Sequence, residues 1–66
     1  MTIVVNGQHH DLPDDAMLAD AIARLTTGMR GVAVALNGSV VPRGEWDSTA
    51  LVDADQVEIL TAVQGG

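Results

Sequence analysis

Two Asn-Gly dipeptides, at residues 6–7 and 37–38, constrain the fold of this chain more than any other feature. Asn and Gly both tolerate positive φ, which the two-residue turn of a tight β-hairpin requires. The Asn of each dipeptide ends a segment typical of a β-strand, over residues 2–6 and 31–37. The sequence therefore predicts two hairpins, with return strands over residues 8–12 and 39–41.

A helix is predicted between the hairpins, over residues 16–25. Leu18, Ala21, Ile22 and Leu25 recur at three- and four-residue spacing and form one apolar stripe. Pro13 ends the preceding strand, and the Asp14 and Asp15 carboxylates can accept hydrogen bonds from the N–H groups at the helix start. Asp20 and Arg24 are spaced as an ion pair, and Gly28 is a natural helix end.

The segment after the second hairpin contains one more long strand. Pro42 lacks a backbone N–H and ends regular pairing, and residues 43–50 are expected to form a short irregular or single-turn segment. Residues 51–52 are predicted to pair briefly, residues 53–56 to turn, and residues 57–63 to form the last strand. One helix must then cover one small mixed sheet, an α+β arrangement that is, by analogy, a β-grasp. We expect a single domain over residues 1–66, with 64–66 a flexible C-terminal tail.

Composition limits the classes of partner. The 66 residues include no cysteine, so the thin core of so small a domain has no disulfide to support it. The net charge of −6 disfavours nucleic acid and anionic lipid and favours a partner with a basic docking surface. No apolar run is long enough to cross a bilayer, and the N-terminus does not resemble a secretion signal. We expect a cytoplasmic protein.

The two-residue period of the strands predicts an apolar patch on the solvent side of the sheet. Val57 and Ile59 should face the helix, and Glu58 should mark the wet face. The predicted patch comprises Val4, Ala33, Ala35, Leu60 and Ala62. A partner site and ordinary scatter of apolar surface residues are equally good interpretations.

Side chains suggest no catalytic, cofactor or metal site. His9 and His10 are adjacent on a strand, so they project to opposite faces and cannot easily share one ion. Asp53 and Asp55 resemble the start of a calcium loop, but Glu58 and Gln64 occupy the positions that need Gly and Glu. These residues are interpreted as surface histidines and turn aspartates.

The reactive group that remains is the Gly66 α-carboxylate. It is ionised at neutral pH and a poor electrophile, so another protein must activate it. Without Cβ atoms, Gly65 and Gly66 could thread with Gln64 into a narrow channel of a partner enzyme. A frayed end explains a terminal Gly-Gly equally well.

A family resemblance decides between these interpretations. Residues 32–46, "VAVALNGSVVPRGEW", and the ending "VEILTAVQGG" closely resemble the bacterial thiamin-biosynthesis sulfur carrier (ThiS) family, which is ubiquitin-like. The most specific matches are Asn37-Gly38, Val41-Pro42-Arg43, Trp46 and Gly65-Gly66. The resemblance covers essentially the whole chain and departs from the family at Ala54, where glycine is usual.

The resemblance implies a carrier and not an enzyme. A ubiquitin-activator-like adenylyltransferase would adenylate Gly66 with ATP, and sulfur from a cysteine desulfurase relay would convert it to a thiocarboxylate. Thiazole synthase would then accept the sulfur. The carrier itself would bind no cofactor and would be a monomer when free. Trp46 is expected to pack in the fold, whereas Arg43 is either a structural anchor or a partner contact.

Alternatives share the fold or the tail. A molybdopterin-synthase-type carrier and a carrier for cysteine synthesis use the same thiocarboxylate chemistry. A ubiquitin-like modifier, or an interaction module with an inert tail, belongs to another class. The chain has no lysine that could capture the activated carboxyl, a property that genomic bias toward arginine explains as well.

Overall fold

The chain folds as one helix packed on one mixed sheet. A computed structural model describes residues 1–25 and 31–61. Their elements are β1 (Thr2–Val5), β2 (Gln8–Asp11), α1 (Leu18–Leu25), β3 (Val32–Leu36), β4 (Ser39–Val40), a 3₁₀ helix (Arg43–Ser48) and β5 (Gln56–Thr61). The strand order is β2-β1-β5-β3-β4, in which β1 and β5 are parallel and the other neighbours antiparallel. Within the described ranges, no helix is long and apolar enough for a membrane span.

Both predicted hairpin turns are present. Asn6 and Gly7 have φ values of 50° and 82°, and Asn37 and Gly38 have values of 50° and 86°. These left-handed values match the twist of the flanking strands. The second return strand is short because Pro42 has no N–H to donate, and pairing continues only to Val41, whose N–H bonds the Val34 carbonyl at 2.9 Å.

The core lies between α1 and the inner face of the sheet. Leu18, Ala21 and Ile22 of the predicted helix stripe are fully buried, whereas Leu25 at the helix end is 36% exposed. The sheet contributes Ile3, Val5, Val34, Val57 and Ile59. These inward positions alternate with exposed or half-buried ones, so the predicted assignment of strand faces is correct.

Trp46 closes one side of this core. Its side chain is buried, and its indole Nε1–H donates to the Val41 carbonyl at 2.9 Å. The exposed Arg43 guanidinium carbon lies 5.7 Å from the centre of the indole ring, within the range of a cation–π contact. Trp46 therefore packs in the fold, as expected, and Arg43 partly covers it.

The helix start differs from the prediction. Helix α1 begins at Leu18, and the Asp20 carboxylate accepts from the Met17 N–H at 2.8 Å. Asp14 accepts instead from the Met1 ammonium at 2.9 Å, a hydrogen bond that raises the pKa of this amine above its ordinary value of 8.0. Asp14 lies four residues before Leu18, too early in the chain to cap the helix, and its carboxylate binds the chain terminus instead.

Two further predictions of local pairing were wrong. Asp20 forms no ion pair with Arg24, because it turns back to the Met17 N–H. Residues 51–52 form no strand; the bridge in this region joins Met17 to Ala50. Residues 43–48 form a 3₁₀ helix, within the irregular or single-turn segment that was expected there, and β5 begins at residue 56. The predicted helix end at Gly28 lies outside the described residues.

Ala54 occupies the turn before β5 in a conformation that suits glycine. Its φ is 72°, and its N–H donates to the Thr2 carbonyl at 2.8 Å. An alanine Cβ crowds the following carbonyl in this region, which costs about 1–2 kcal/mol. The departure from the family pattern therefore introduces local strain.

Replacing Ala54 with glycine should stabilise the protein. Relief of the Cβ strain outweighs the greater flexibility of glycine in the unfolded chain, leaving a net gain of about 0.5–1 kcal/mol. Urea unfolding measures the gain. Ala50→Gly is the matched control, because Ala50 has no positive φ, and it should lower stability. An equal loss of stability in both variants would show that Ala54 is not strained.

Candidate functional site

Four apolar residues, of which three are exposed and Ala35 is half-buried, form a patch on the face of the sheet opposite α1. Ala33 of β3 lies directly across from Leu60 of β5, and Ala35 lies across from Val40 of β4. Leu60 is 68% exposed and Val40 is 77% exposed. We call Ala33, Ala35, Val40 and Leu60 the apolar outer face.

The register separates Val4 from this surface. Val4 lies opposite Gln56 on β5 and is half-buried. Leu60 is four residues further along the same strand, about 13 Å away at 3.3 Å per residue. The predicted patch therefore included Val4, which lies apart from it, and omitted Val40, which belongs to it. Ala62, its remaining member, lies outside the described residues.

An acidic residue borders the apolar outer face. Glu58 is exposed and lies directly opposite Ala35, between the Leu60 and Gln56 positions of the same strand face. A partner that covers Leu60 and Val40 must also accommodate this carboxylate. The face therefore suits an apolar surface that carries a basic group at its edge.

The central strand β5 is held from one side by the turn residue Asn6. Its side-chain Oδ1 accepts from the Ile59 N–H at 2.8 Å, and its Nδ2 donates to the Ile59 carbonyl at 3.1 Å. Its own N–H bonds the Val57 carbonyl at 2.9 Å. The amide side chain thus continues the parallel β1–β5 pairing beyond the end of β1.

The second turn asparagine holds the beginning of β5 from the other side. The Asn37 N–H donates to the Gln56 carbonyl at 2.7 Å, and its Oδ1 accepts from the Gln56 N–H at 2.9 Å. Its Nδ2 donates to the buried Asp55 carboxylate at 3.0 Å, which also accepts from the Val52 N–H at 2.8 Å. Both turns therefore fix the position and direction of β5.

This anchoring determines where the chain leaves the sheet toward its C-terminus. Thr61, the last residue of β5, lies opposite Val32. The predicted tail residues Gln64, Gly65 and Gly66, including the modification position, lie outside the described residues. They follow a strand whose Gln56 and Ile59 are each bound by an asparagine side chain.

Other candidate groups have structural roles or lie apart. Asp53 accepts from the Thr2 N–H at 2.7 Å, so both Asp53 and Asp55 stabilise the turn. His9 pairs with Val4 and His10 with Ile3, which places the two imidazoles on opposite faces. Across residues 1–25 and 31–61, no three His, Cys, Asp or Glu side chains are grouped to bind a metal.

Sequence reasoning missed three residues of this region. Val40 was missed although a signal was present, because the predicted two-residue turn at residues 37–38 pairs Val40 with Ala35 and places both on one face. Asn6 and Asn37 were recognised for their backbone angles, but no sequence pattern indicated that their side chains bind β5. Asn6 is 53 residues from Ile59 along the chain, and Asn37 is 19 residues from Gln56.

Comparison with known proteins gives matches that extend over essentially all of this chain. The ThiS family model matches residues 2–66. The sulfur carrier protein ThiS of Escherichia coli is 27% identical over 66 residues, which is all of both chains. A thiazole synthase of Paramagnetospirillum magneticum is 29% identical over the whole of this chain, which spans only 20% of that protein.

Solved structures agree with these relatives. The crystal structure of a thiamine biosynthesis protein (ThiS) from Geobacter metallireducens is 30% identical, covers all of both chains and superposes with a TM-score of 0.81. A solution structure of a thiamine biosynthesis protein from the same organism is 32% identical, also with a TM-score of 0.81. This chain covers 88% of the latter.

Proposed function

The chain belongs to the ThiS family, and from this we propose that it carries sulfur for thiamin biosynthesis as a thiocarboxylate on Gly66. The match over residues 2–66, which reaches the Gly-Gly ending, is the observation that carries the proposal. The protein is a small sulfur carrier of the ubiquitin-like β-grasp fold and not a catalyst. The predicted family and fold are thereby confirmed.

The Gly66 carboxylate requires activation before it can accept sulfur. An adenylyltransferase resembling ubiquitin activators joins the carboxylate to AMP from ATP and releases pyrophosphate. The terminal sulfur of a persulfide formed by a cysteine desulfurase relay then attacks the acyl carbon and displaces AMP. A thiol cleaves the resulting S–S bond, which releases the thiocarboxylate and leaves a disulfide between that thiol and the relay cysteine. The product is an anionic thiocarboxylate, which is a sulfur nucleophile without help from a positioned base. ATP belongs to the activating enzyme, and the carrier holds no cofactor of its own.

Thiazole synthase is the acceptor of the sulfur in this proposal. The relative from Paramagnetospirillum magneticum supports it, because a segment similar to this whole chain is part of a thiazole synthase. A carrier and an acceptor that can share one polypeptide must act near each other. We place these steps in the cytoplasm, where ATP and the reduced sulfur donors are present.

The described structure supports a division between docking and chemistry. The apolar outer face lies on β5 and its neighbours, and the tail continues from the same strand. A partner that covers Leu60 and Val40 would therefore receive Gly66 within the reach of five residues, at most about 18 Å in an extended chain. The net charge of −6 favours a basic surface around the partner's active site.

Intact mass spectrometry tests the proposal. The protein is incubated with its activating enzyme, ATP, a cysteine desulfurase and cysteine. Replacement of one C-terminal oxygen by sulfur is the expected change, and omission of ATP should prevent it. Thiazole synthase supplied with its own substrates should then incorporate the sulfur into its product and restore the original mass of the carrier. No change of mass with enzymes that modify a known carrier would disprove sulfur carriage.

Leu60→Asp should weaken binding to the activating enzyme and to thiazole synthase. A carboxylate at the centre of an apolar contact loses the buried leucine surface and must itself be desolvated, so we expect a loss of about 1–3 kcal/mol. This corresponds to an increase in Kd of about fivefold to 150-fold, which titration calorimetry measures. Val40→Asp should act similarly, although Val40 is remote from Leu60 in sequence.

Val52→Asp is the matched control for this prediction. Val52 is 63% exposed, similar to Leu60, and lies in the loop before β5, away from the apolar outer face. Val52→Asp adds the same charge as Leu60→Asp. It therefore shows how much of any weakening comes from general charge repulsion and how much from loss of the contact at Leu60. Equal weakening by Leu60→Asp and Val52→Asp would argue against docking at this face, and unfolding of Leu60→Asp would show that the leucine serves the fold.

A further inference from the structure

Strand β2 forms an edge of the sheet with no described strand on its outer side. The strand order places β2 at the opposite edge from β4, and Gln8, His9 and Asp11 are exposed. No proline or bulge interrupts residues 8–11, although these are the features that commonly protect such edges. The edge therefore presents backbone groups that another strand can pair with.

The hairpin register identifies those backbone groups. Leu12 and Met1 exchange hydrogen bonds of 2.9 and 2.8 Å, so the hydrogen-bonded pairs alternate from there through Ile3 and His10 to Val5 and Gln8. The backbone groups of the intervening residues, His9 and Asp11, point away from β1. Their side chains lie on the outer face with those of Val4 and Thr2.

Only one antiparallel register of β2 with a second copy suits these residues. When His9 of one copy pairs with Asp11 of the other, the outward-pointing N–H and C=O groups of both residues are all hydrogen-bonded. The two copies then share four backbone hydrogen bonds, arranged about a two-fold axis. A register shifted by two residues toward the C-terminus pairs Asp11 with Asp11 of the other copy and His9 with Pro13, which has no N–H to donate. Shifting it the other way places His9 against His9 and Asp11 against the turn residue Gly7.

Hydrogen-bond complementarity between imidazole and carboxylate supports the same register. Each imidazole lies directly opposite a carboxylate of the other copy, about 5.5 Å apart at Cα. Thr2 Oγ1 donates to Oδ1 of Asp11 at 2.8 Å, which leaves Oδ2 to accept from the imidazole. The two-fold axis passes between the two His10 residues, whose side chains lie on the helix side.

We propose that two copies of this protein associate through antiparallel pairing of their β2 strands, with His9 of each copy opposite Asp11 of the other. The result is a continuous ten-stranded sheet with both helices on one side. Four hydrogen bonds and two cross-strand pairs form a small interface, so the dissociation constant should be millimolar. Dilute protein is then monomeric, in agreement with the prediction for the free carrier.

The dimer leaves the proposed docking surface accessible. The apolar outer face lies on β5, β3 and β4, across the sheet from the β2 edge. Each copy therefore keeps its docking face and its tail, and a partner with two active sites could be served by both. The pairing does not depend on the sulfur chemistry, so failure of either proposal leaves the other standing.

Single cysteines test the register, since the chain has none of its own. In untagged protein at millimolar concentration, with EDTA to exclude metal bridging, His10→Cys should form a disulfide dimer several-fold faster than the other variants. In the proposed register only residue 10 lies opposite the same residue of the other copy, within the Cα distance that a disulfide needs. His9→Cys and Asp11→Cys report the two shifted registers, and Val52→Cys reports random collision. Fastest cross-linking by either shifted variant, or equal rates for all four, would overturn the proposal.

Exchange of His9 and Asp11, the two residues that face each other across the interface, gives an independent test by sedimentation equilibrium. His9→Asp places two carboxylates opposite each other at both ends of the interface, and Asp11→His does the same with imidazoles. Each single variant should raise the dissociation constant about tenfold, and the double variant should restore it. Association that persists in His9→Asp, or absence of any association at millimolar concentration, would refute this interface.

Discussion

A chain that lacks Gly66 is expected to take up no sulfur, although it folds as well as the intact chain. Without Gly66, the terminal carboxylate lies one residue, about 3.5 Å, short of the activated phosphate of ATP. Adenylation depends on bringing the two groups into contact, so this displacement removes the reaction and does not merely slow it. All buried core side chains of the described residues lie between Ile3 and Ile59, so the unfolding free energy should change by less than about 0.5 kcal/mol.

A milder substitution separates the need for a carboxylate from the need for glycine. Gly66→Ala keeps the terminal carboxylate but adds a Cβ atom, and we expect adenylation to fall by about a hundredfold if the tail enters a narrow channel. Gly44→Ala is the matched control, because a Cβ there meets nothing within 4 Å. Pyrophosphate release measures adenylation. Full sulfur uptake by the chain without Gly66 would show that the modification lies elsewhere.

Most of the fold could be predicted because its signals are local. The two Asn-Gly turns, the helix stripe containing Leu18 and Ile22, and the alternation of Val57 and Ile59 with Glu58 each depend on neighbours within a few residues. The two-residue strand period then assigned Leu60 to the solvent side, where it is 68% exposed. The family identity came from longer motifs and supplied the sulfur chemistry, which no periodicity contains.

The errors concern contacts between residues that are distant in sequence. Asp14 has the chemistry of a helix cap, but the helix begins four residues later and the Met1 ammonium lies beside Asp14 in the folded chain. Val4 and Leu60 share a face of the sheet, yet the parallel register of β1 with β5 keeps them apart. Strand register is a tertiary property, so pattern reasoning could assign the face of each residue but not its neighbours.

The asparagine contacts to β5 explain how the two hairpins form a single sheet. Each turn residue has a backbone role, since positive φ disfavours most other residues, and a side-chain role, since its amide bonds β5. Asn6 acts at Ile59, two residues before the strand ends at Thr61. Loss of its side chain should therefore loosen β5 near the origin of the tail.

Asn6→Ala is expected to lower the unfolding free energy by about 2–4 kcal/mol. The substitution removes two hydrogen bonds to Ile59, worth about 1 kcal/mol each, and places a Cβ without compensation at a φ of 50°, costing about 1–2 kcal/mol. A domain of this size has only about 3–10 kcal/mol to lose. Asn6→Gly keeps the turn and loses only the side-chain bonds, so urea unfolding should show about half the effect. Hydrogen exchange of the Ile59 amide should accelerate in both variants. If Asn6→Gly is as stable as the parent and its Ile59 amide exchanges no faster, then the turn alone matters and the amide does not hold β5.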